Sequence, residues 1–143
     1  MGGFRCGYSS HRRCRDLQVL RILNLGFSSL PMTPTIFQRI IAREIPANIE
    51  YEDDEVIAIK DIAPKAPVHI LVIPKKFIPS IADATDADQI LLGKLILTAQ
   101  KIAKEKGLEG YKLLFNVGEK GGQVVFHVHL HLLGGGEIDL CGA

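Results

Sequence analysis

Apolar residues in the first well-punctuated part of the chain recur at helical spacing. Thr33 and Pro34 can serve as the N-cap and the first residue of a helix, and Pro46 stops a helix because it has no backbone N–H to donate. The sequence therefore predicts a short helix between these two signals. One face of this helix carries four apolar residues: Ile36, Phe37, Ile40 and Ile41.

A second helical pattern lies in the middle of the chain. Residues 85–88 read Thr-Asp-Ala-Asp, which resembles a capping box with aspartate in place of glutamate. Gly107 is typical of the residue that ends a helix. The sequence predicts a longer helix between these points, with an apolar stripe made of Ile90, Leu91, Leu95, Ala99, Ile102 and Ala103.

Runs of β-branched and alternating apolar residues predict strands between and after the helices. Asp53-Asp54 marks the turn between the first two strands, and the glycine-rich turn 118–122 joins the last two. Short connections between consecutive strands favour an antiparallel meander with both helices packed on it, which is an α+β fold. The five predicted strands are 48–52, 55–61, 68–73, 111–117 and 124–132.

The last predicted strand contains a row of histidines. His127, His129 and His131 alternate with apolar residues, and a strand turns every second side chain to the same face. All three imidazoles are therefore expected on one face, with Val128, Leu130 and Leu132 facing a core. A solvated edge strand is the alternative, but it predicts polar residues between the histidines. The row favours chemistry near neutral pH.

The composition is that of one globular domain. The chain has 143 residues, of which 47% are apolar and 23% are charged. A net charge of +1 gives no electrostatic reason to expect nucleic acid or a membrane surface as a partner. Cys6, Cys14 and Cys141 form neither a disulfide framework nor a C-x-x-C pair, so we expect a reducing, cytoplasmic location.

The first 32 residues differ from the rest. They contain five arginines, no lysine and one acidic residue, Asp16, which is typical of an organelle transit peptide. The alternative is a translated leader, with Met32 as the natural start. We therefore expect residues 1–32 to be a disordered extension and 33–143 to be the domain. A transit peptide would place the protein in a mitochondrion or another organelle.

A metal site is the first chemistry to consider for the histidine row, because histidine is the commonest metal ligand. At ~3.3 Å per residue, the Cα atoms of His127 and His131 lie ~13 Å apart, too far for all three imidazoles to share one ion easily. A His-x-His pair would need a third ligand, and neither Glu119 nor Glu137 is well placed. We therefore expect no metal and no other cofactor.

Nucleophilic catalysis is the second chemistry, in which a neutral imidazole nitrogen attacks an electrophilic phosphorus. Such a reaction needs hydrogen-bond donors around the phosphoryl group. Gly118, Gly121 and Gly122 allow the backbone to approach an anion closely, and Asn116 and Gln123 supply neutral amides. Their position directly before the histidines makes this chemistry the better interpretation.

The segment His127-Val128-His129-Leu130-His131-Leu132-Leu133 resembles the histidine triad motif, His-φ-His-φ-His-φ-φ, in which φ is apolar. The resemblance extends over about 100 residues, from about Thr35 to Gly135, and is nearest to the Hint branch, whose members are purine nucleoside phosphoramidases. The other motifs that carry it are Phe37-x-x-Ile40-Ile41-x-x-Glu44-Ile45-Pro46, Ile59-x-Asp61-Ile62-x-Pro64-x-Ala66-Pro67-x-His69, Val72-Ile73-Pro74-Lys75-Lys76, and Asn116-x-Gly118 before Gly121-Gly122-Gln123.

The resemblance implies a role for each histidine. His129 attacks the α-phosphorus of an adenosine 5′-phosphoramidate or an acyl-adenylate, and water then hydrolyses the nucleotidyl-histidine to AMP. His131 contacts the phosphate and helps to protonate the leaving group, while His127 orients the nucleophile. His69 matches a histidine implicated in setting the protonation of the nucleophile. Further implied functions are a non-catalytic nucleotide sensor or scaffold and a dinucleoside polyphosphate hydrolase.

The resemblance also implies a nucleotide pocket and a homodimer in which two sheets join. Asp61 holds the ribose hydroxyls, and the phosphate and ribose meet Asn116, Gly122, Gln123 and position 124. The purine lies against Ile36, Phe37, Ile40, Ile59 and Ile62. Excess apolar residues between Leu91 and Leu97 fit an interface.

Three residues or segments depart from the Hint pattern. Val124 replaces a common serine and offers no side-chain donor. Phe77 replaces a histidine found in some members, and the chain has no tryptophan, so the usual Trp-Pro-Pro-Gly tail has no counterpart. The helix start at Thr35 also lacks the zinc-binding cysteine pair of some bacterial relatives.

Overall fold

The computed structural model describes residues 33–137 of the protein. Residues 1–32 and 138–143 lie outside the described residues, so the expectation of an N-terminal extension stays a prediction. Within residues 33–137, three short 3₁₀ turns connect the main elements, at Ile81–Asp83, Asp86–Asp88 and Glu119–Gly121. The main elements are α1 (Ile36–Ile41), β1 (Ile49–Glu52), β2 (Val56–Lys60), β3 (Val68–Pro74), α2 (Gln89–Glu105), β4 (Tyr111–Leu114) and β5 (Leu130–Gly134).

The five strands form one antiparallel sheet in the order β1-β2-β3-β5-β4. The predicted α+β class with five antiparallel strands is therefore confirmed. The order departs from a simple meander at one point, because β5 lies between β3 and β4. This position gives β5 a hydrogen-bonded neighbour on both sides. The end of the histidine row is therefore inside the sheet.

The two faces of the sheet carry separate apolar clusters. Alternation along β2 sends Val56 and Ala58 to one face, and Ile57 and Ile59 to the other. On the first face α2 packs through Leu95, Ala99, Ile102 and Ala103 together with Val128, Leu130 and Leu132. On the second face α1 packs through Phe37 and Ile40. Neither helix of the described range has the length and apolarity needed to cross a bilayer.

Helix α1 begins two residues later than the sequence predicts. Thr35, not Thr33, is its N-cap, because the Thr35 hydroxyl accepts from the Gln38 N–H at 3.2 Å. The Gln38 side chain accepts from the Thr35 N–H at 2.8 Å, which completes a capping box. The helix ends at Ile41, well before Pro46, because Arg43 adopts a left-handed conformation with φ of 62°.

Helix α2 has the ends that the sequence predicts. Thr85 and Asp88 form the predicted capping box, around a 3₁₀ turn that leads into the helix. Gly107 follows the helix with φ of 64°, a conformation that glycine adopts without strain. The Leu108 N–H then bonds to the Ala103 carbonyl at 3.0 Å. Local signals thus fix both ends of this helix.

The predicted strand 124–132 is wrong over its first six residues, because β5 spans Leu130–Gly134. The backbone before Leu130 bonds to loop groups and not to a neighbouring strand. The Val128 N–H donates to the Ile78 carbonyl at 2.8 Å, and the Val125 carbonyl accepts from the Gln123 amide at 3.1 Å. His127 and His129 therefore lie on an irregular segment that leads into the strand, and His131 lies on the strand itself.

Candidate active site

A cavity of about 400 Å³ opens beside α1, the end of β2 and the segment before β5. A smaller cavity of about 160 Å³ adjoins it and is lined in part by His69, Asp61 and His131. His127 and Gln123 do not line the larger cavity. Eleven residues singled out by the sequence do line it: Ile36, Phe37, Ile40, Ile59, Asp61, Ile62, Asn116, Gly122, Val124, His129 and His131.

The hydrogen bond of His129 determines which of its nitrogens is free. Its Nδ1 lies 2.8 Å from the backbone carbonyl oxygen of His127. A carbonyl only accepts, so Nδ1 carries the hydrogen and donates it. In the neutral ring the lone pair therefore lies on Nε2. The ring of Phe37 packs edge-on against His129 with centroids 5.0 Å apart, which restricts its orientation.

His127 is fully buried and acts as a support behind His129. Its Nε2 donates to the Pro74 carbonyl at 2.8 Å, so its Nδ1 is left as an acceptor for the Thr35 hydroxyl at 3.4 Å. Phe77 packs edge-on against the same ring, with centroids 5.4 Å apart. Both imidazole nitrogens of His127 are thus used inside the protein, and its main-chain carbonyl orients the next histidine.

Burial keeps the three histidines of the row neutral near pH 7. Burial lowers the pKa of His127 and of His129 below the ordinary value near 6.5. Burial, reinforced by His129 and His69, lowers the pKa of His131 to about 4. A neutral imidazole is the form that attacks phosphorus, so the site holds its histidines in the reactive state.

His69 contacts His131 and not His129. The resemblance implies that His69 sets the protonation of His129, but its Nε2 lies 2.9 Å from the Nδ1 of His131. The two side chains are diagonal neighbours on one face of the sheet, because Leu71 is paired with His131 and His69 lies two residues earlier. Any effect of His69 on His129 is therefore indirect, through His131 or through Asp61.

Asp61 follows β2, and each of its two carboxylate oxygens contacts a different partner. Its Oδ1 accepts from the Ala63 N–H at 2.8 Å, which shapes the turn after the strand. Its Oδ2 lies 3.3 Å from the Nε2 of His69. Burial lowers the pKa of His69, although the nearby Asp61 carboxylate acts in the opposite direction. The carboxylate of Asp61 therefore lies beside both cavities and beside His69 and His131.

Asp61, His69 and His131 are also a candidate cation group, since one ligand atom from each lies within 4.8 Å of the others. This grouping is not evident in the sequence. The hydrogen bonds argue against a metal there, because the Nδ1 of His69 accepts from the Lys65 N–H at 3.1 Å. The hydrogen of neutral His69 is therefore on Nε2, the atom that would have to bind the ion. The residues do not fit a metal well.

The glycine-rich turn does not present its amides as predicted. The N–H groups of Gly121 and Gln123 bond to the Gly118 carbonyl, at 3.1 Å and 3.0 Å, and that of Gly122 bonds to the Glu119 carbonyl at 3.0 Å. The side chain of Gln123 is buried and bonds to Pro79, Val125 and Gly118 at 2.7–3.1 Å. These groups hold the loop in shape and are not free donors for a phosphate.

Val124 and Ile62 are the most open apolar residues of the cavity, with 80% and 96% of their surfaces exposed. Val124 therefore offers an apolar side chain at a position where an incoming ligand meets solvent.

Sequence reasoning missed several contributors. Thr35 is one of them, and its signal was visible, because a polar residue directly before a helix is a capping candidate. Leu71 and Val125 line the larger cavity and read as ordinary core residues in the sequence. The main-chain N–H of Lys65, which orients His69, leaves no trace in the sequence.

The chain is similar to known proteins over most of its length. A family model described as HIT domain matches residues 42–138. A purine nucleoside phosphoramidase of Escherichia coli K12 is 50% identical over 103 residues, which are 71% of this chain and 87% of that protein. A HIT-like protein of Synechococcus elongatus is 58% identical over 102 residues, 71% of this chain and 90% of that protein.

Solved structures show the same fold. A HIT family hydrolase from Legionella pneumophila matches with a TM-score of 0.74 and 45% identity, covering 76% of this chain and 98% of that chain. A histidine triad protein from Clostridium difficile matches with a TM-score of 0.70 and 43% identity, covering 72% and 91%. An antiparallel sheet with a cluster of histidines beside a cavity defines the class of this protein. The chain belongs to the histidine triad, or HIT, family.

Proposed function

We propose that this protein is a purine nucleotide-binding hydrolase that cleaves adenosine 5′-phosphoramidates, or acyl-adenylates, to AMP. The observation that carries the proposal is the state of His129. Its Nδ1 is committed to the His127 carbonyl, its Nε2 bears the lone pair, and the residue lines a cavity of about 400 Å³. The named activity of the 50% identical Escherichia coli relative supports the same reaction.

The first step of the proposed reaction forms a nucleotidyl-histidine. The Nε2 of His129 attacks the α-phosphorus, and the bond from phosphorus to the amine nitrogen breaks. The leaving amine takes up a proton from solvent. The His127 carbonyl, which accepts from Nδ1 at 2.8 Å, stabilises the positive charge that develops on the ring of His129.

The second step releases AMP. A water molecule attacks the phosphorus, the bond to Nε2 of His129 breaks, and a proton returns to solvent. The net change is the addition of one water across the P–N bond. His131, with a pKa of about 4, is neutral at pH 7 and acts as a hydrogen-bond donor to the phosphoryl group or the departing nitrogen.

The remaining cavity residues supply a binding site for the nucleotide. We assign the ribose hydroxyls to Asp61 and the phosphate end to Asn116 and His131, with Gly122 lining the cavity beside them. Val124 faces the side where the leaving group exits. The purine would lie among the apolar residues Ile36, Phe37, Ile40, Ile59 and Ile62. Of these, Phe37 is buried against His129, so it supports the nucleophile as well as the purine ring.

The direct test is AMP release from adenosine 5′-monophosphoramidate by the full-length wild type and by His129→Gly. We expect turnover by the wild type, and a loss of about 10³-fold or more in the variant because the nucleophile is removed. Wild type quenched in alkaline denaturant, which preserves the acid-labile P–N bond, should carry an adenylyl group by mass spectrometry, and His129→Gly should not. Equal rates for the two proteins would contradict the mechanism.

A non-catalytic nucleotide sensor is the second candidate, and the exposed Val124 favours it because valine gives the leaving group no donor. Binding of AMP with no turnover of a phosphoramidate, an acyl-adenylate or a dinucleoside polyphosphate would establish that function instead. Preferred turnover of the dinucleoside polyphosphate would identify a polyphosphate hydrolase.

We also propose a homodimer. Helix α2 exposes Ile90, Ile96 and Leu97, with 63% of Leu97 open to solvent. Gly93 lies on the same stripe, and its position has open space around it, which suits close approach by a second helix. Strand β4 is an edge of the sheet and can pair with its copy.

A further inference from the structure

The hydrogen bonds around His69 have a fixed direction. The main-chain N–H of Lys65 donates to the Nδ1 of His69 at 3.1 Å, so this nitrogen is an acceptor. Burial lowers the pKa of His69, so the ring is neutral near pH 7 and carries one hydrogen, on Nε2. The backbone of the loop after β2 thus makes the Nε2 of His69 a donor.

That single N–H has two possible acceptors. One is the Nδ1 of His131, at 2.9 Å, and the other is the Oδ2 of Asp61, at 3.3 Å. A carboxylate is the stronger acceptor because it is charged, but the imidazole is nearer. Asp61 and His131 therefore compete for the one hydrogen of His69, and a ligand on Asp61 changes the outcome.

The outcome of this competition determines whether the Nε2 of His131 can donate a hydrogen bond to a ligand. When its Nδ1 accepts from His69, its hydrogen lies on Nε2. Among the described residues this Nε2 is buried and has no hydrogen-bond partner. The glycine-turn amides are bonded within the turn, so they do not replace it. His131 therefore holds a donor for the phosphoryl group only while His69 donates to it.

We propose that Asp61, His69 and His131 form a relay that couples recognition of the ribose to the chemistry at phosphorus. Ribose hydroxyls that donate to Asp61 occupy its Oδ2, and the His69 N–H is then committed to His131. This fixes the Nε2–H tautomer of His131 and raises kcat. The inference rests on the proposed function, because it assigns ribose and phosphate to this cavity. His69 is a positioning residue in this scheme.

The kinetic test compares adenosine 5′-phosphoramidate with its 2′,3′-dideoxy analogue. In the wild type we expect kcat to be about tenfold lower for the dideoxy substrate, besides any rise in KM, because one transition-state donor is weakened. His69→Leu should show the low kcat with both substrates. His69→Gln should show a high kcat with both, because its amide oxygen accepts from Lys65 while its two N–H groups serve His131 and Asp61 together.

Equal kcat values for the two substrates in the wild type would overturn the relay, since Asp61 would then affect binding alone. Persistent sugar dependence of kcat in His69→Leu would also overturn it. His69→Gln controls for loss of folding in His69→Leu, because it keeps a polar group of similar reach.

A test without turnover separates this inference from the proposed function. ¹⁵N NMR of the imidazole nitrogens reports which nitrogen of His131 is protonated. We expect saturating adenosine to increase the Nε2–H form of His131, and 2′,3′-dideoxyadenosine to leave it unchanged. The same spectrum with both nucleosides would overturn the relay. The protein could give the expected spectra and still turn over no phosphoramidate. That result would overturn the proposed reaction and would leave the relay supported.

Discussion

At the scale of single residues, main-chain groups determine which nitrogen of each histidine carries its hydrogen. The Pro74 carbonyl fixes His127, and the His127 carbonyl in turn fixes His129. The Lys65 N–H fixes His69. A carbonyl only accepts and an amide N–H only donates, so each tautomer follows from the fold. The sequence predicts the row of histidines, but it cannot reveal these partners. Pro74 is 53 residues away from His127, and the two nearer partners reach their histidines through irregular backbone.

Thr35 links the stability of α1 to the histidine row. Its hydroxyl accepts from the Gln38 N–H and lies 3.4 Å from the Nδ1 of buried His127. We expect Thr35→Val to lower the free energy of unfolding by roughly 2 kcal/mol, because a helix cap is lost and a buried nitrogen loses its partner. Urea unfolding followed by circular dichroism measures this change.

Thr33 supplies a matched control for Thr35. It is the cap that the sequence predicts, but it is exposed and lies before the helix in the structure. Thr33→Val should therefore change the unfolding free energy by less than about 0.5 kcal/mol, the usual range for surface substitutions. A larger loss from Thr33→Val than from Thr35→Val would support the sequence-based cap.

At the scale of elements, the sequence predicts best those segments whose ends carry local signals. The capping box at Thr85 and the glycine at Gly107 place α2 correctly. The segment before β5 has strand-like alternation as far back as Val124, yet it forms no strand there. Its partners are a loop at Ile78 and the side chain of Gln123, and such long-range pairing is invisible in a local pattern.

The exposed stripe of α2 gives an element-scale prediction. A charge at Leu97 would have to be desolvated on association with a second copy, so we expect Leu97→Glu to convert the proposed dimer to a monomer. Sedimentation velocity at micromolar concentration measures the two species. Because Leu97 is largely exposed, the unfolding temperature of the monomer should show little loss beyond that caused by dissociation.

Ile49 on β1 provides the matched control for the dimer. It is an exposed apolar residue on the opposite edge strand of the sheet, so Ile49→Glu adds the same charge away from the proposed interface. This variant should remain dimeric. A monomeric wild type, or dissociation by Ile49→Glu but not by Leu97→Glu, would contradict an interface built on α2 and β4.

At the scale of the whole molecule, the fold keeps a set of imidazoles out of water. The sheet covers the row on one side, and α1 packs against His127 and His129 through Phe37. Burial therefore lowers the pKa of each histidine in the row, that of His131 to about 4. The sequence suggests a row of neutral imidazoles, but the depth that keeps them neutral depends on how α1 packs over this face of the sheet.

This burial predicts how stability depends on pH. In the unfolded chain these histidines titrate near 6.5, whereas the folded chain resists protonation down to lower pH. Between about pH 6.5 and pH 4 the unfolded state binds more protons, so the free energy of unfolding falls as the pH falls. Above pH 6.5 this contribution is fully present. Urea unfolding at intervals across this window should show a continuous decline.

His131→Asn isolates the contribution of one imidazole, because asparagine does not titrate. Its unfolding free energy should decline less steeply between pH 6.5 and pH 4 than that of the wild type. Carboxylates with a lowered pKa, such as Asp88 beside the Lys76 ammonium, also lose their contribution below about pH 5. The wild type and the variant share that loss, so the difference between their curves reports on His131. Parallel pH curves for the wild type and His131→Asn would show that His131 is not held neutral by the fold.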